Sequence, residues 1–314
     1  MNVRRALGVA AAGVGLTALT NRALRQRAGE LEPALIGEQK TFRWRGMDVA
    51  YTEAGDPEAP DLVLLHGINA AGSSGEFRAT FDDLAADYHV VAPDLPGFGR
   101  SDRPPLRYSA PLYEDFVADF LAEFDAPAVV ASSLTSAYVA AALRGDEDDV
   151  SRLVLICPTT KAGPEPNRWV RELLRAPFVG TAAFNLLTSK PSIRYFNADH
   201  GYYDADAVSD EWITYEWRTS HQPNARFAPA SFVSGYLNSD VSLGEALADL
   251  DVPVTLVWGR EADVTPLSDG RDLAEEADAR LVVFDDALLL PHVEHAEQFL
   301  DTLRGELSQS ATRE

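Results

Sequence analysis

Cysteine and lysine are both scarce in this chain of 314 residues. The one cysteine, Cys157, excludes an intramolecular disulfide and a metal site built from several cysteines. Because Cys157 follows an apolar run (153–156), we expect a buried structural thiol rather than a nucleophile. No cluster of His, Asp and Glu has the spacing of metal ligands, so the sequence predicts neither a metal nor an organic cofactor.

Positive charge is the second shortage. The chain has 27 lysine and arginine residues against 49 aspartate and glutamate residues, and its formal net charge is -22. The acidic residues are dispersed and lysine is almost absent, a pattern typical of proteins that stay soluble in high salt, where repulsion is screened. We interpret this as a halophile's adaptation. No basic stripe is present to neutralise phosphates, so nucleic acid is not an expected partner.

The first 27 residues differ from the rest. An uncharged stretch rich in alanine and glycine (6–21) lies between Arg4-Arg5 and the arginines Arg22, Arg25 and Arg27. This stretch is short and weakly hydrophobic for a membrane-spanning helix, and the arginines after it argue against a cleaved signal. We expect a cytoplasmic protein with possible membrane association through residues 1–27. A cytosolic helix, a disordered tail and a cleaved signal are the alternatives.

Short apolar runs predict strands that are buried on both faces, at 61–66, 89–93, 126–131, 152–157, 252–258 and 279–285. Between two of them, residues 112–124 have apolar positions at helical spacing. Alternation of strands and helices predicts the α/β class, with a mostly parallel central sheet flanked by helices.

The alternation stops between residues 161 and 245, where aromatic residues and prolines accumulate and no strand is predicted. We expect a helical cap there. The domain prediction is therefore an N-terminal segment (1–30), a core in two halves (40–160 and 246–308) and the cap between them. The aromatic residues of the cap either pack its own small core or line the apolar wall of a ligand pocket.

Two motifs follow predicted strands with residues suited to nucleophilic chemistry. In VVASSLTSAYVAA (129–141) a strand passes into a helix at Ser133. A nucleophilic serine on such a turn needs small residues two positions before and after it, which here are Ala131 and the bulkier Thr135. The loop that begins with His66 and Gly67 consists of small residues, which lets backbone N–H groups face a developing oxyanion.

Together with DLPGFGRSD (94–102), VPVTLVWGREAD (252–263) and LLPHVEHAEQFL (289–300), these motifs resemble the α/β-hydrolases of the esterase and lipase-like superfamily. The resemblance extends from about Phe42 to Leu303, and the cap lies where that superfamily inserts its lid. It implies the α/β-hydrolase fold and a triad in the order Ser, Asp, His. Ser133 matches the nucleophile, and the backbone N–H groups of Ile68 and Leu134 match the oxyanion hole.

The acid of the triad usually follows the glycine of the VWG strand by three residues. Asp263 stands one position further on and is our candidate, with Glu261 less favoured. Either carboxylate has the alternative role of an N-cap for the helix that follows.

The base is the missing part of the pattern. The resemblance places a histidine five residues before Glu294, and the chain has Leu289 there. His292 is our candidate base, although an extended chain displaces it from that position by roughly 10 Å. A purely structural role for His292 is the alternative, and the cap histidines His200 and His221 are further candidates.

Two functions are compatible with this pattern. In the first, the protein is a serine hydrolase with a degenerate triad that acts on a small, uncharged and apolar ester or acyl substrate. In the second, the fold has been kept by a binding or scaffolding protein without catalysis.

Overall fold

The apolar runs form the centre of an eight-stranded sheet. The computed structural model describes residues 3–144 and 150–308. The strands are β1 (Glu38–Trp44), β2 (Met47–Ala54), β3 (Asp61–Leu65), β4 (His89–Pro93), β5 (Ala128–Ser132), β6 (Arg152–Ile156), β7 (Val254–Gly259) and β8 (Arg280–Phe284). Their order across the sheet is β1-β2-β4-β3-β5-β6-β7-β8. The pairs β1/β2 and β2/β4 are antiparallel and the others are parallel, which confirms the mostly parallel sheet.

Both faces of the sheet are covered by apolar packing. Val63 and Leu65 belong to a core cluster on one face, whereas Leu62 and Leu64 belong to a cluster on the other. Successive side chains of a strand point to opposite faces, so a strand covered on both sides is apolar throughout. This is why β3 to β7 have continuous apolar sequences.

The core helices cover these two faces. They are α2 (Phe81–Leu84), α3 (Ala110–Leu121), α4 (Thr135–Ala142), α10 (Leu243–Ala248), α11 (Leu267–Glu276), α12 (Pro291–Glu294) and α13 (Ala296–Ser308). A 3₁₀ helix, Ser74–Phe77, follows β3. Because β3 and β5 to β8 are parallel, the loops that follow them meet at one edge of the sheet, where ligands bind in open α/β sheets.

The region predicted as a cap, 161–245, contains helices and no strand. The helices are α5 (Arg168–Arg175), α6 (Val179–Leu187), α7 (Lys190–Phe196), α8 (Asp210–Ser220) and α9 (Phe227–Val233). Some of its aromatic side chains, such as Phe184 and Tyr202, are buried, whereas Trp169 is 75% exposed.

The N-terminal segment forms helix α1 (Val3–Ala28), and its last turns pack on the cap. Leu24 and Ala28 lie against Ile213 and Trp217, and Arg218 donates a hydrogen bond to the carbonyl of Ala28. Within residues 3–144 and 150–308, no helix combines the length and the apolarity that crossing a bilayer requires. Membrane association through residues 1–27 stays a prediction, and the side chains before residue 15 lie outside the described part of the chain.

We expect the melting temperature to fall when salt is lowered from about 1 M to about 0.01 M, because the Debye length then grows from about 3 Å to about 30 Å and the net charge of -22 is poorly screened. Each kcal/mol of stability lost lowers the melting temperature by roughly 2–4 °C in a domain of about 150–250 residues. Calorimetry over a salt series at constant pH measures the effect. A melting temperature that does not change over this range would contradict the halophile interpretation.

Candidate active site

Ser133 lies where β5 ends and α4 begins, at the carboxyl edge of the sheet. Its φ of 54° is in the left-handed region, which a residue with a side chain adopts only when its surroundings hold it there. Its backbone N–H donates to the carbonyl of Ile156 on the neighbouring strand (2.8 Å), and the residue is partly exposed. The turn therefore has the strained geometry of a nucleophile elbow.

Thr135 replaces the usual small residue after the serine without disrupting the turn. Its hydroxyl donates a hydrogen bond to the carbonyl of His66, with 2.7 Å between the oxygens. The threonine thus joins the start of α4 to the loop after β3. The extra bulk that the sequence predicts at this position is accommodated by a specific polar contact.

His66 supports this loop and is fully buried. Its Nε2 accepts the backbone N–H of Leu95 (3.0 Å), so the ring proton is on Nδ1, which lies 2.8 Å from the carbonyl of Gly67. With both nitrogens bonded to the backbone, His66 has a structural role in this loop.

Gly67 is required because the loop passes close to the elbow. A Cβ on Gly67 would lie 3.2 Å from Ser132 Oγ, 3.3 Å from Glu76 Oε2 and 3.4 Å from Ser133 Cβ. These distances are tighter than, or at the limit of, ordinary van der Waals contact, so only glycine lets the loop approach this closely. The next residue of the loop, Ile68, is buried.

The backbone N–H groups of Ile68 and Leu134 donate no hydrogen bond to any described residue, although both residues are buried. Buried N–H groups are rarely left unpaired. Two free donors beside a strained serine have the properties required to stabilise an oxyanion.

Leu289 follows β8 at the same edge of the sheet. Its side chain is partly buried and packs against Cys157, Trp258 and Ala262. Glu294 accepts a hydrogen bond from the backbone N–H of Leu288 (3.1 Å), which holds this loop. The position that the family pattern gives to a histidine is therefore filled by an apolar side chain packed against other apolar groups.

Asp263 lies between β7 and α11, and its side chain is exposed. It forms no hydrogen bond or ion pair with any residue in 3–144 or 150–308 that would connect it to a histidine. The less favoured Glu261 accepts the backbone N–H of Ala287 (3.1 Å) and so stabilises the loop after β8. The assignment of Asp263 as the acid stays a prediction.

His292 is completely buried in the first turn of α12, directly after Pro291. Its ring centroid lies 5.4 Å from that of Phe77 and 5.7 Å from that of Phe299. Its Nε2 lies 3.3 Å from Glu76 Oε1, but neither ring nitrogen makes an aligned hydrogen bond to a described residue. The ring is thus held by packing and by one carboxylate, and it is not bonded to the hydroxyl of Ser133.

Glu76 connects His292 to the elbow. This side chain is buried, and its Oε2 accepts the backbone N–H of Gly67 (2.8 Å). Burial alone would raise the pKa of Glu76. The nearby His292 ring and the hydroxyl of Ser132 oppose this and hold the pKa below its ordinary value of 4.5. A buried carboxylate, kept ionised, therefore lies between His292 and the serine turn.

The comparison with known families agrees with this geometry. The model of the family described as "Alpha/beta hydrolase family" matches residues 62–302. The chain belongs to the alpha/beta hydrolase family.

Relatives of this alpha/beta hydrolase include an esterase and a hydrolase of another class of substrate. It is 27% identical over 254 residues to the pimeloyl-[acyl-carrier protein] methyl ester esterase of Vibrio atlanticus, an alignment that covers 78% of this chain and 93% of the relative. It is 25% identical over 280 residues to the 2-hydroxy-6-oxo-6-phenylhexa-2,4-dienoate hydrolase of Burkholderia cepacia, with 86% of this chain and 96% of the relative covered.

Solved structures show the same fold. An esterase from Rhodococcus sp. has a TM-score of 0.64 and 23% identity, and the alignment covers 86% of this chain and 98% of that one. An alpha/beta hydrolase fold protein from Burkholderia ambifaria has a TM-score of 0.68 and 24% identity, with 86% and 98% covered.

The other histidines of this alpha/beta hydrolase that we considered as bases lie in the cap. His200 is exposed and lies 3.3 Å from Asp199, whereas His221 is buried with its Nδ1 2.7 Å from the carbonyl of Trp217. Within the described ranges, no group of three or more His, Cys, Asp or Glu residues is arranged to hold a metal ion.

Glu76 is the residue that sequence reasoning missed. It stands nine residues after Gly67 in a loop of small residues, and its partner His292 is far away in the chain. The one local signal is a carboxylate directly before the apolar Phe77, after a stretch of loop (67–75) that has no charged residue.

Proposed function

We propose that this alpha/beta hydrolase is a slow serine hydrolase of a small, uncharged, apolar ester or acyl substrate. The observation that carries the proposal is the strained backbone of Ser133, with a φ of 54°, next to the free N–H groups of Ile68 and Leu134. The methyl ester esterase among the relatives supports an ester as the substrate class.

In this mechanism the hydroxyl of Ser133 attacks the carbonyl carbon of the substrate. The negative charge that develops on the carbonyl oxygen is stabilised by the N–H groups of Ile68 and Leu134. An acyl-enzyme forms, and the alcohol leaves with the proton of Ser133. Water then attacks the acyl-enzyme, which releases the acid and restores the serine hydroxyl.

The proton of Ser133 is taken by His292. Glu76, which lies 3.3 Å from its Nε2, takes the orienting role that the sequence assigns to Asp263, because Asp263 is exposed and Glu76 is buried beside the ring. Nδ1 is the nitrogen left to accept the proton, and it must come within about 3 Å of the hydroxyl. This requires a rearrangement of the ring or the turn, which makes the reaction slow.

The second candidate is the binding protein without catalysis. It is favoured by Leu289 in the position of the usual base and by the absence of a bond between Ser133 and His292 among the described residues.

The cytoplasmic location and the membrane association of residues 1–27 are further parts of the proposal. The exposed leucines of α1, Leu16 and Leu19, support the membrane part.

A serine-directed phosphonate is expected to label Ser133, detected by mass spectrometry of the digested protein. Ser133→Ala should abolish labelling, whereas Ser268→Ala is the control because it removes an exposed hydroxyl of α11 and leaves the elbow and Glu76 unchanged. If Ser133→Ala still labels at the same rate, the nucleophile is elsewhere. If the natural protein is not labelled at all, the binding function is favoured.

The same assay separates the two acids. Glu76→Gln should slow labelling by at least about tenfold if the carboxylate orients His292, since loss of the orienting acid costs up to about 10⁴-fold in serine proteases. Asp263→Asn should leave the rate within about twofold. The opposite result would restore Asp263 as the acid and leave Glu76 with a structural role.

A further inference from the structure

A polar cleft lies between the N-terminal helix and the cap, lined by α1, α6 and the segment after α8. Its volume is about 470 Å³, within the range of small-molecule sites. Of the residues considered for the hydrolytic site, the cap histidine His221 lines this cleft, whereas Ser133, His292, Glu76 and Asp263 do not.

The charge of this cleft is opposite to that of the whole chain. Its lining includes Arg22, Arg25 and Arg226 and no aspartate or glutamate, although acidic residues outnumber basic ones by 49 to 27 in the sequence. The composition of the cleft is therefore a local exception.

The three arginines form no ion pair within the part of the chain that the structure describes. Arg22 and Arg25 lie about one turn apart on α1, are exposed, and form no ion pair with a described residue. Arg226 is partly buried, and its Nε has no hydrogen-bond partner among the described residues. Burial and the positive charge of nearby Arg175 both lower the pKa of Arg226. The charge of Arg175 therefore adds to the positive electrostatic potential around Arg226.

The other lining groups suit an anion with an apolar neighbour. The side-chain amide of Asn185 donates one N–H to Asn21 and has a second N–H available, and Phe178 and Phe184 supply apolar surface. Guanidinium groups bind phosphate through paired hydrogen bonds, and they do so best where water is partly excluded.

We propose that this cleft binds the phosphate group of a phosphorylated ligand through Arg22, Arg25 and Arg226. The ligand is either a soluble phosphate ester or the headgroup of an anionic lipid. Both present the same chemistry to the arginines, and Leu16 and Leu19, exposed on the same helix, would contact lipid in the second case.

Titration calorimetry of the full chain with inorganic phosphate and glycerol phosphate, at constant ionic strength set with chloride, tests the proposal. Arg22→Gln and Arg25→Gln should each weaken binding by about tenfold or more, the loss expected for a hydrogen bond to a charged group. Arg271→Gln, which removes an exposed arginine of α11 without an ion pair in the described residues, should leave the affinity unchanged.

Vesicles separate the two sources of phosphate. If the ligand is a headgroup, the protein should sediment with phosphatidylglycerol but not phosphatidylcholine vesicles, and Arg25→Gln should release it. If the ligand is soluble, glycerol phosphate should bind saturably and neither vesicle should sediment the protein.

Unchanged melting curves of the arginine variants verify folding, since glutamine keeps the helix propensity of arginine. The proposal is overturned if neither phosphate compound nor vesicle binds, or if the cleft variants bind as well as Arg271→Gln.

Discussion

Substitution of Leu289 by histidine is expected to accelerate phosphonate labelling of Ser133 by about 10²–10⁴-fold, the contribution of a well-placed general base. Leu289 follows β8 at the same sheet edge as Ser133, and Glu294 holds the loop through the backbone of Leu288. The elbow and two free N–H donors are already present, so an imidazole at 289 supplies the missing part. His292 must rearrange before it can act as a base, so its present contribution to the labelling rate is small. Most of the expected acceleration is therefore still available to an imidazole at position 289.

The matched control is Leu290→His. Leu290 is the next residue, but its Cδ1 lies 3.8 Å from the place of a Cβ on Gly201, so its side chain is directed to the cap. A histidine at position 290 adds an imidazole that is not placed to act as a base for Ser133. If both variants accelerated labelling equally, the acceleration would not depend on where the imidazole is placed. No gain from Leu289→His, with an unchanged melting temperature, would show that the elbow or the acid no longer supports catalysis and would favour the binding function.

Removal of the Glu76 side chain is expected to be the most damaging change to stability. Glu76→Ala should lower the free energy of unfolding by several kcal/mol, because it leaves two buried groups, the His292 ring and the N–H of Gly67, without their partner, and each such loss costs about 1–3 kcal/mol. Urea unfolding measures the loss. Asp285→Ala is the control, since it breaks an exposed pair with Arg260 and should cost no more than about 1 kcal/mol.

The pH dependence of stability follows from the direction of the Glu76 shift. Its pKa in the folded protein is lower than its ordinary value of 4.5, so its contribution is fully present above that value and is lost as pH falls through the folded pKa. The acid destabilisation of the natural protein should therefore be smaller in Glu76→Ala. Identical pH profiles for the two proteins would show that Glu76 is not ionised in the folded state.

The central part of the sheet was predictable because its chemistry is local. β3 to β8 match the six apolar runs, since a strand covered on both faces is apolar at most of its positions. β1 and β2, the antiparallel pair at one edge of the sheet, were not predicted. The sequence of β1, EQKTFRW, is mostly exposed, so water rather than packing determined much of its composition.

The site was predictable only where a single turn defines it. The positive φ of Ser133 belongs to a strand-to-helix turn that the sequence of residues 129–141 identifies. The approach of Glu76 to His292 joins the loop after β3 to a helix more than 200 residues later, and no local pattern encodes such a contact. For the same reason, the exposure of Asp263 could not be read from its position after β7.

The packing of α1 on the cap affects the order in which parts of the chain can fold during synthesis. Arg218 donates to the carbonyl of Ala28 across 190 residues of sequence, and Gln222 donates to that of Gly29 across 193. At a synthesis rate of about 5–20 residues per second, these partners leave the ribosome roughly 10–40 s after the helix. During that interval the growing chain can pair β2, β3, β4 and β5, whereas Leu24 and Ala28 have nothing to pack against. Helix α1 is synthesised before the cap and therefore reaches its native contacts only once the cap has been made.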